Sequence, residues 1–164
     1  PVRDFGLTGD SVLFNGDFER GGSGWSLPAN SQGEITDEMA AVGERALKII
    51  DDSDTRGSNV TSARITVDGT GSWLLRGQVH HVSGSGIGMY IRFYDEAGRQ
   101  LNEADARGNI AAVGSLDGGV GEWAPFEFTF ETPEGTASME LWIHSFNAAR
   151  VTAFIDGLAI VPAQ

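Results

Sequence analysis

The stretch WLLRGQVHHVSGSGIGMYIRFYDEAG, Trp73–Gly98, decides the fold. Its first half places Leu75, Gly77 and Val79 on one side of an extended chain. Its second half does the same with Met89, Ile91 and Phe93. Alternation with a period of two belongs to a strand with one buried face, and no helix would collect these residues on one side. Between the halves lies SGSG, a turn. The pattern predicts two antiparallel strands, each with a core face and an outward face.

The same period recurs along the chain. SVLFNGDFE opens with a short alternating run, and RALKII places Leu47 and Ile49 together. SARITVDG gives Ala63, Ile65 and Val67; PFEFTFET gives Phe126, Phe128 and Phe130; SMELWIHS gives Met139, Leu141 and Ile143. VTAFIDGLAIV closes with a mostly apolar run. About eight short strands separated by Gly, Asp and Pro turns predict an all-β fold, an antiparallel β-sandwich. The best helical candidate, TDEMAAVGERA, is interrupted by Gly43. The Gly-, Ala- and Asp-rich segment 101–121 reads as a long loop, and loops of that length are usually functional or mobile.

The chain has 164 residues, one domain's worth, and 40% of them are hydrophobic, enough for a real core. Cysteine is absent, which excludes disulfides, thiol chemistry and thiolate metal sites. No apolar run has the length of a membrane span. The net charge of −12 opposes nucleic acid and anionic membranes, and suits calcium, neutral ligands or simple solubility. It disfavours polyanionic glycans without excluding them. No signal peptide is visible before Pro1, so the expectation is one domain, residues 1–164, cut from a larger secreted protein.

Each inward set implies an outward one. For the three strands around LRGQVH, MYIRFY and MELWIH these are Arg76, Gln78 and His80; Tyr90, Arg92 and Tyr94; and Glu140, Trp142 and His144. If the three strands share a sheet, the result is a patch of aromatic and hydrogen-bonding side chains. Such a patch suits a sugar, whose C–H face packs on an aromatic ring while its hydroxyls bond to planar polar groups. The alternative is that loops cover this face and the aromatics form a minor core. Trp25, Trp73 and Trp123 read as packing residues. His80 and His81 point to opposite faces and cannot chelate one ion together; His80 and His144 could meet across strands, but without a third ligand they make a poor zinc site.

A second feature joins the two ends of the chain. Asp17 and Glu19 follow the first run, and Asp156 sits in the apolar run AFIDGLAI. A buried lone carboxylate is costly unless paired or bound to a cation. Calcium collects oxygens from separate loops, and the turn around Gly43 and Glu44 could add carbonyls. The alternative is that Asp156 accepts hydrogen bonds from turn amides. DDSDTRGS, Asp51–Ser58, fails as an EF-hand loop, since Arg56 occupies a ligand position and no Glu closes it.

LFNGDFERGGSGW (Leu13–Trp25), VGERALKI (Val42–Ile49), FYDEAGRQL (Phe93–Leu101), WAPFEFTFETPEG (Trp123–Gly135) and FIDGLAIV (Phe154–Val161) follow one another in an order that resembles family 4 carbohydrate-binding modules and their relatives in families 9 and 22. The resemblance covers nearly the whole chain. It implies a β-jelly roll with a structural Ca2+ and a concave sheet that binds a polysaccharide. By position it makes Glu19 and Asp156 side-chain calcium ligands, leaves Asp17 to its carbonyl, and aligns Tyr94, Arg99 and His144 with ligand-contacting positions. One departure matters: DTRGSNVTS, Asp54–Ser62, lacks the aromatic that helps sandwich the sugar in the family member. Xylan or a β-glucan is the first expectation. An acidic or sulfated algal glycan, met by Arg76, Arg92 and the histidines, is the alternative.

No nucleophile elbow or dinucleotide loop is present; GGSGW and GSGIG fit neither. The expected function is a non-catalytic module, a monomer tethered to a secreted glycoside hydrolase or polysaccharide lyase. Two other classes stay open. One is a small lyase or hydrolase, using Tyr90, Arg92 and His144 or a carboxylate pair among Asp95, Glu127 and Glu140. The other is a protein-interaction or adhesion jelly roll.

Overall fold

The computed structural model describes residues 11–29 and 32–163. Eleven strands follow one another: β1 (Trp25–Ser26), β2 (Gly33–Thr36), β3 (Ala46–Asp51), β4 (Asn59–Ser62), β5 (Ile65–Thr66), β6 (Gly71–Gly84), β7 (Ile87–Tyr94), β8 (Gly114–Leu116), β9 (Ala124–Thr132), β10 (Ser138–Ser145) and β11 (Val151–Pro162). They form two sheets. One has the order β1-β4-β10-β7-β8, with β5 also on β10; the other is β2-β3-β11-β6-β9. Every pairing between strands is antiparallel. This is the expected β-sandwich with jelly-roll crossings.

The alternating residues build the core between the sheets. Met89, Ile91 and Phe93 of β7 and Met139, Leu141 and Ile143 of β10 are buried from one side. Leu47 and Ile49, Leu75 and Val79, Ile155, Phe126 and Phe130 meet them from the other. Phe18 and Trp25 plug one end, ring centroids 5.0 Å apart, and the Trp25 indole donates to the Asn15 carbonyl.

The turn SGSG does not close a simple hairpin. β7 pairs with β10 and β8, while β6 pairs with β11 and β9, so the chain crosses from one sheet to the other between Gly84 and Ile87. Gly84 (φ 70°) and Gly86 (φ 113°) supply left-handed backbone there.

Two local expectations change, and the one between them holds. Residues 11–19 form turns and not a strand; Asn15 (φ 53°) and Phe18 (φ 60°) reverse the chain, and the Asn15 side chain ties it to the Gly21 and Ser23 carbonyls. The segment 37–45 is not helical, because its amides are bonded to distant carboxylates described below. The long segment 101–121 is anchored to β7. Asn102 accepts from the Phe93 amide and donates to the Ile91 carbonyl, both at 2.8 Å, acting as a peptide group would in a neighbouring strand. Leu101 and Val113 add backbone bonds to Phe93 and Met89, and β8 completes the edge.

Candidate functional site

The outer face of the β4-β10-β7 part of the first sheet carries the cluster. Trp142 and Tyr90 are directly opposite in register, as are Glu140 and Arg92, and His144 and Gly88. The Tyr90 and Trp142 ring centroids are 4.5 Å apart, and Trp142 and His144 stack at 4.6 Å. The Trp142 indole N–H donates to Asn59 Oδ1 (2.9 Å), and the His144 Nδ1–H donates to the Ser58 carbonyl (2.8 Å). A carbonyl only accepts, so that bond fixes the proton on Nδ1. Asn59 and Ser58, in the segment Asp54–Ser62, thus orient two rings of the cluster.

Glycine shapes the floor. A Cβ at Gly88 would stand 2.8 Å from Tyr90 Cε1, 3.1 Å from its Oη and 2.8 Å from Phe146 Cε1. The Tyr90 side chain therefore lies along the strand over Gly88. A cleft of about 410 Å³ follows, lined by Tyr90, Arg92, Trp142 and His144 on the floor. Gln100, Gly108, Asn109 and Ile110 form one wall, and Phe146 and Asn147 line the rest. The wall is a small loop closed by the Ala104–Ile110 bridge, with Asp105 accepting amides of Arg107 and Asn109. Desolvation holds the Tyr90 phenol above its ordinary value, so it is a hydrogen-bond donor at neutral pH and not a base.

Beside the cleft, Glu140 is a hub. Its Oε1 accepts from Tyr94 Oη (2.6 Å) and Arg92 Nη1 (3.3 Å), and its Oε2 from Arg64 Nε (3.3 Å). The Arg92 guanidinium lies 4.2 Å over Trp142 and that of Arg64 3.5 Å over Tyr94. Burial, then the bond to Glu140, raises the Tyr94 phenol. Tyr94 and Glu140 thus brace the floor instead of lining it. Arg99 is held by Asp95 through its amide (2.9 Å) and Nε (3.2 Å), which draws the Asp95 carboxyl below its ordinary value; Arg99 does not line the cleft.

Arg76, Gln78 and His80 are a correction. They lie on β6, in the other sheet, with Arg76 opposite Ala159, Gln78 opposite Asp156 and His80 opposite Phe154. His80 packs edge-on against Trp123 (5.7 Å) and Phe154 (6.2 Å), covering the outer side of that sheet. His80 and His144 consequently do not meet. Sequence reading missed the cleft's loop residues Gln100, Asn109, Ile110, Phe146 and Asn147, and the space left by Gly88.

At the joined ends, Asp156 is fully buried. Its Oδ2 accepts from the Ala41 and Val42 amides (both 2.9 Å), and its Oδ1 from the Gly157 amide (2.7 Å). Glu19 accepts from the Glu44 (2.8 Å) and Arg45 (2.9 Å) amides of the same turn. At Gly43 (φ 64°), between them, a Cβ would strike the Glu19 carboxylate. Burial outweighs three amide donors and, with Glu19 adding repulsion, pushes the Asp156 carboxyl up to about 7. Asp17 Oδ1 accepts its own turn's Glu19 amide (3.3 Å), and the exposed Glu44 gives this turn its N–H. Among the described residues no three acidic or histidine side chains gather as a metal cluster. Every carboxylate oxygen of Glu19 and Asp156 accepts a backbone amide, the arrangement that stood as the alternative to a bound ion.

No family model and no curated protein matches the chain. Solved structures do. The CBM22-1 xylan-binding domain from Paenibacillus barcinonensis Xyn10C superposes with a TM-score of 0.69 at 18% identity, covering 96% of this chain and 97% of that one. A Family 16 Carbohydrate Binding Module-2 gives 0.66 at 15%, covering 92% and 99%. TmCBM61, in complex with beta-1,4-galactotriose, gives 0.58 at 17%, covering 93% and 99%. The shared property is the jelly-roll fold over nearly the full length of each chain.

Proposed function

We propose that this chain is a non-catalytic carbohydrate-binding module, which holds a polysaccharide along the cleft of the β4-β10-β7 face. The observation that carries the proposal is the cleft floor: Tyr90 laid along the sheet beside Trp142 and His144, with amide and guanidinium groups at its rim. Aromatic rings in an open groove suit the C–H faces of sugars, and planar polar side chains suit their hydroxyls. The neighbours above, a xylan-binding domain and a module in complex with a galactotriose among them, support this reading of the fold's use.

Both cleft-side phenols are held protonated, so the group left to act as a base is His144 Nε2, since its Nδ1 carries the proton; the assay of released sugar below separates binding from catalysis. The module would act as a tethered monomer in a larger secreted enzyme, raising the catalytic domain's local concentration on its substrate. A structural Ca2+ held by Glu19 and Asp156 would relieve two carboxylates brought together on one turn. Support for it comes from Asp156, buried among neutral amides with its carboxyl raised.

Affinity electrophoresis through xylan, β-glucan and mannan gels, with released reducing ends assayed in parallel, tests the function. Retardation without product release is expected for a binding module. Release of sugar would make the cleft a catalytic site.

A further inference from the structure

We infer that the cleft is built for an acidic polysaccharide, one whose sugars carry carboxylate or sulfate groups. The inference rests on the reading of the cleft as a glycan site and names its ligand class. The chain has 23 Asp and Glu against 11 Lys and Arg, so carboxylates are spread widely over it. Three other surface clefts each contain them: Asp68, Asp95 and Glu96 in one, Asp17 in a second, Glu34 and Asp37 in a third. The lining of the Tyr90–Trp142 cleft contains none, and it does contain Arg92 and His144.

A neutral sugar gives no reason for that exclusion. Carboxylates are good acceptors for hydroxyls and would serve such a ligand well. An anionic sugar does give one, because a carboxylate in the lining would repel it. Beside the cleft, Glu140 is 9% exposed and turned to three donors: Tyr94 Oη, Arg92 Nη1 and Arg64 Nε. Arg92 and Arg64 share that carboxylate, and Asp105 of the wall loop spends its Oδ1 on the Arg107 and Asn109 amides. Arg92 spends one N–H on Glu140 and lies flat against Trp142. Its other donors, in the fork geometry that suits carboxylate and sulfate oxygens, remain for a ligand. The overall charge of −12 does not cancel this. At physiological ionic strength exposed charges are screened beyond about 8 Å, so the groups in the cleft decide.

The test is affinity electrophoresis of the whole chain through glucuronoxylan, alginate and a sulfated galactan. Each is paired with its carboxyl-reduced or desulfated form, with unsubstituted xylan and β-glucan alongside. The expected result is retardation by at least one native acidic glycan, weakened about tenfold or more when that glycan is neutralised. Which acidic glycan retards the chain tells carboxylate from sulfate. Arg92→Gln should lose the difference between native and neutralised forms. Should that variant melt early, Asn109→Asp on the exposed wall adds one carboxylate and should weaken the native acidic glycan more than its neutralised form. Equal retardation by native and neutralised forms overturns the inference and leaves the glycan site standing. No retardation in any gel overturns both.

Discussion

Replacing Gly88 with alanine puts one methyl under the aromatic floor. Its Cβ would stand 2.8 Å from both Tyr90 Cε1 and Phe146 Cε1, short of the 3.4 Å at which ordinary contact begins, so both rings must move by at least about 0.6 Å. The backbone raises no objection, since Gly88 lies outside the left-handed region and is paired within β7. Removing a glycine from a strand stabilises by about 0.4–1 kcal/mol through the unfolded state. Overpacking in a tight core costs about 1–3 kcal/mol, and here the rings can yield toward solvent, so the two effects nearly cancel. Stability should change by less than about 1 kcal/mol. Binding has no such compensation. Tyr90 must tip up from the floor and away from Trp142, losing an aromatic platform worth about 0.5–1.5 kcal/mol beyond its area, and the rim then meets the sugar out of register. The affinity should fall about five- to thirtyfold, read by calorimetric titration with the retarding glycan, while the melting temperature stays within a few degrees. A folded Gly88→Ala protein with unchanged affinity would refute the role given to Tyr90.

Other perturbations separate the parts. In chelator, Asp156 carries a folded carboxyl raised to about 7 against 3.8 unfolded, so its contribution is present at low pH and lost as pH rises from about 4 to 7. Melting temperatures across that range should fall, and saturating calcium should remove the fall by holding the carboxylate ionised; a flat, calcium-independent profile would count against the ion. Asp156→Asn turns an amide N–H toward backbone N–H donors and should cost about 1–3 kcal/mol by denaturant titration. Glu140→Gln removes the anion that gathers Tyr94, Arg92 and Arg64, and should weaken glycan binding severalfold while melting slightly earlier. Arg76→Gln and His80→Ala, on the opposite sheet, should leave binding untouched in the same gels.

The legible part of the fold was the part governed by burial on one face. MYIRFY and MELWIH alternate because one side of each strand is in the core, which set Tyr90, Arg92, Trp142 and His144 on outward faces, and the pairing of β7 with β10 makes those faces one surface. Sheet membership was not legible for LRGQVH. Its alternation is the same, and only the crossing between Gly84 and Ile87 sends Arg76, Gln78 and His80 to the other side of the sandwich. The cleft wall was hidden for a related reason. Gln100, Asn109 and Ile110 sit in a loop with no periodicity, held by the Asn102 side chain to the edge of β7. The opening NGDFE was legible as a place for carboxylates and, through Asn15-Gly16, as an ordinary turn, while the left-handed backbone of Phe18 is what its residue type does not announce.

The location of binding is read most directly from the indole N–H signals of the isotope-labelled chain as glycan is added. The four tryptophans sit in four different surroundings: Trp25 in the core, Trp73 on β6, Trp123 against His80, and Trp142 on the cleft floor. The account predicts that the Trp142 signal moves with saturable dependence on glycan while the other three stay in place. Movement of Trp73 or Trp123 with Trp142 fixed would place the ligand on the opposite sheet and contradict it.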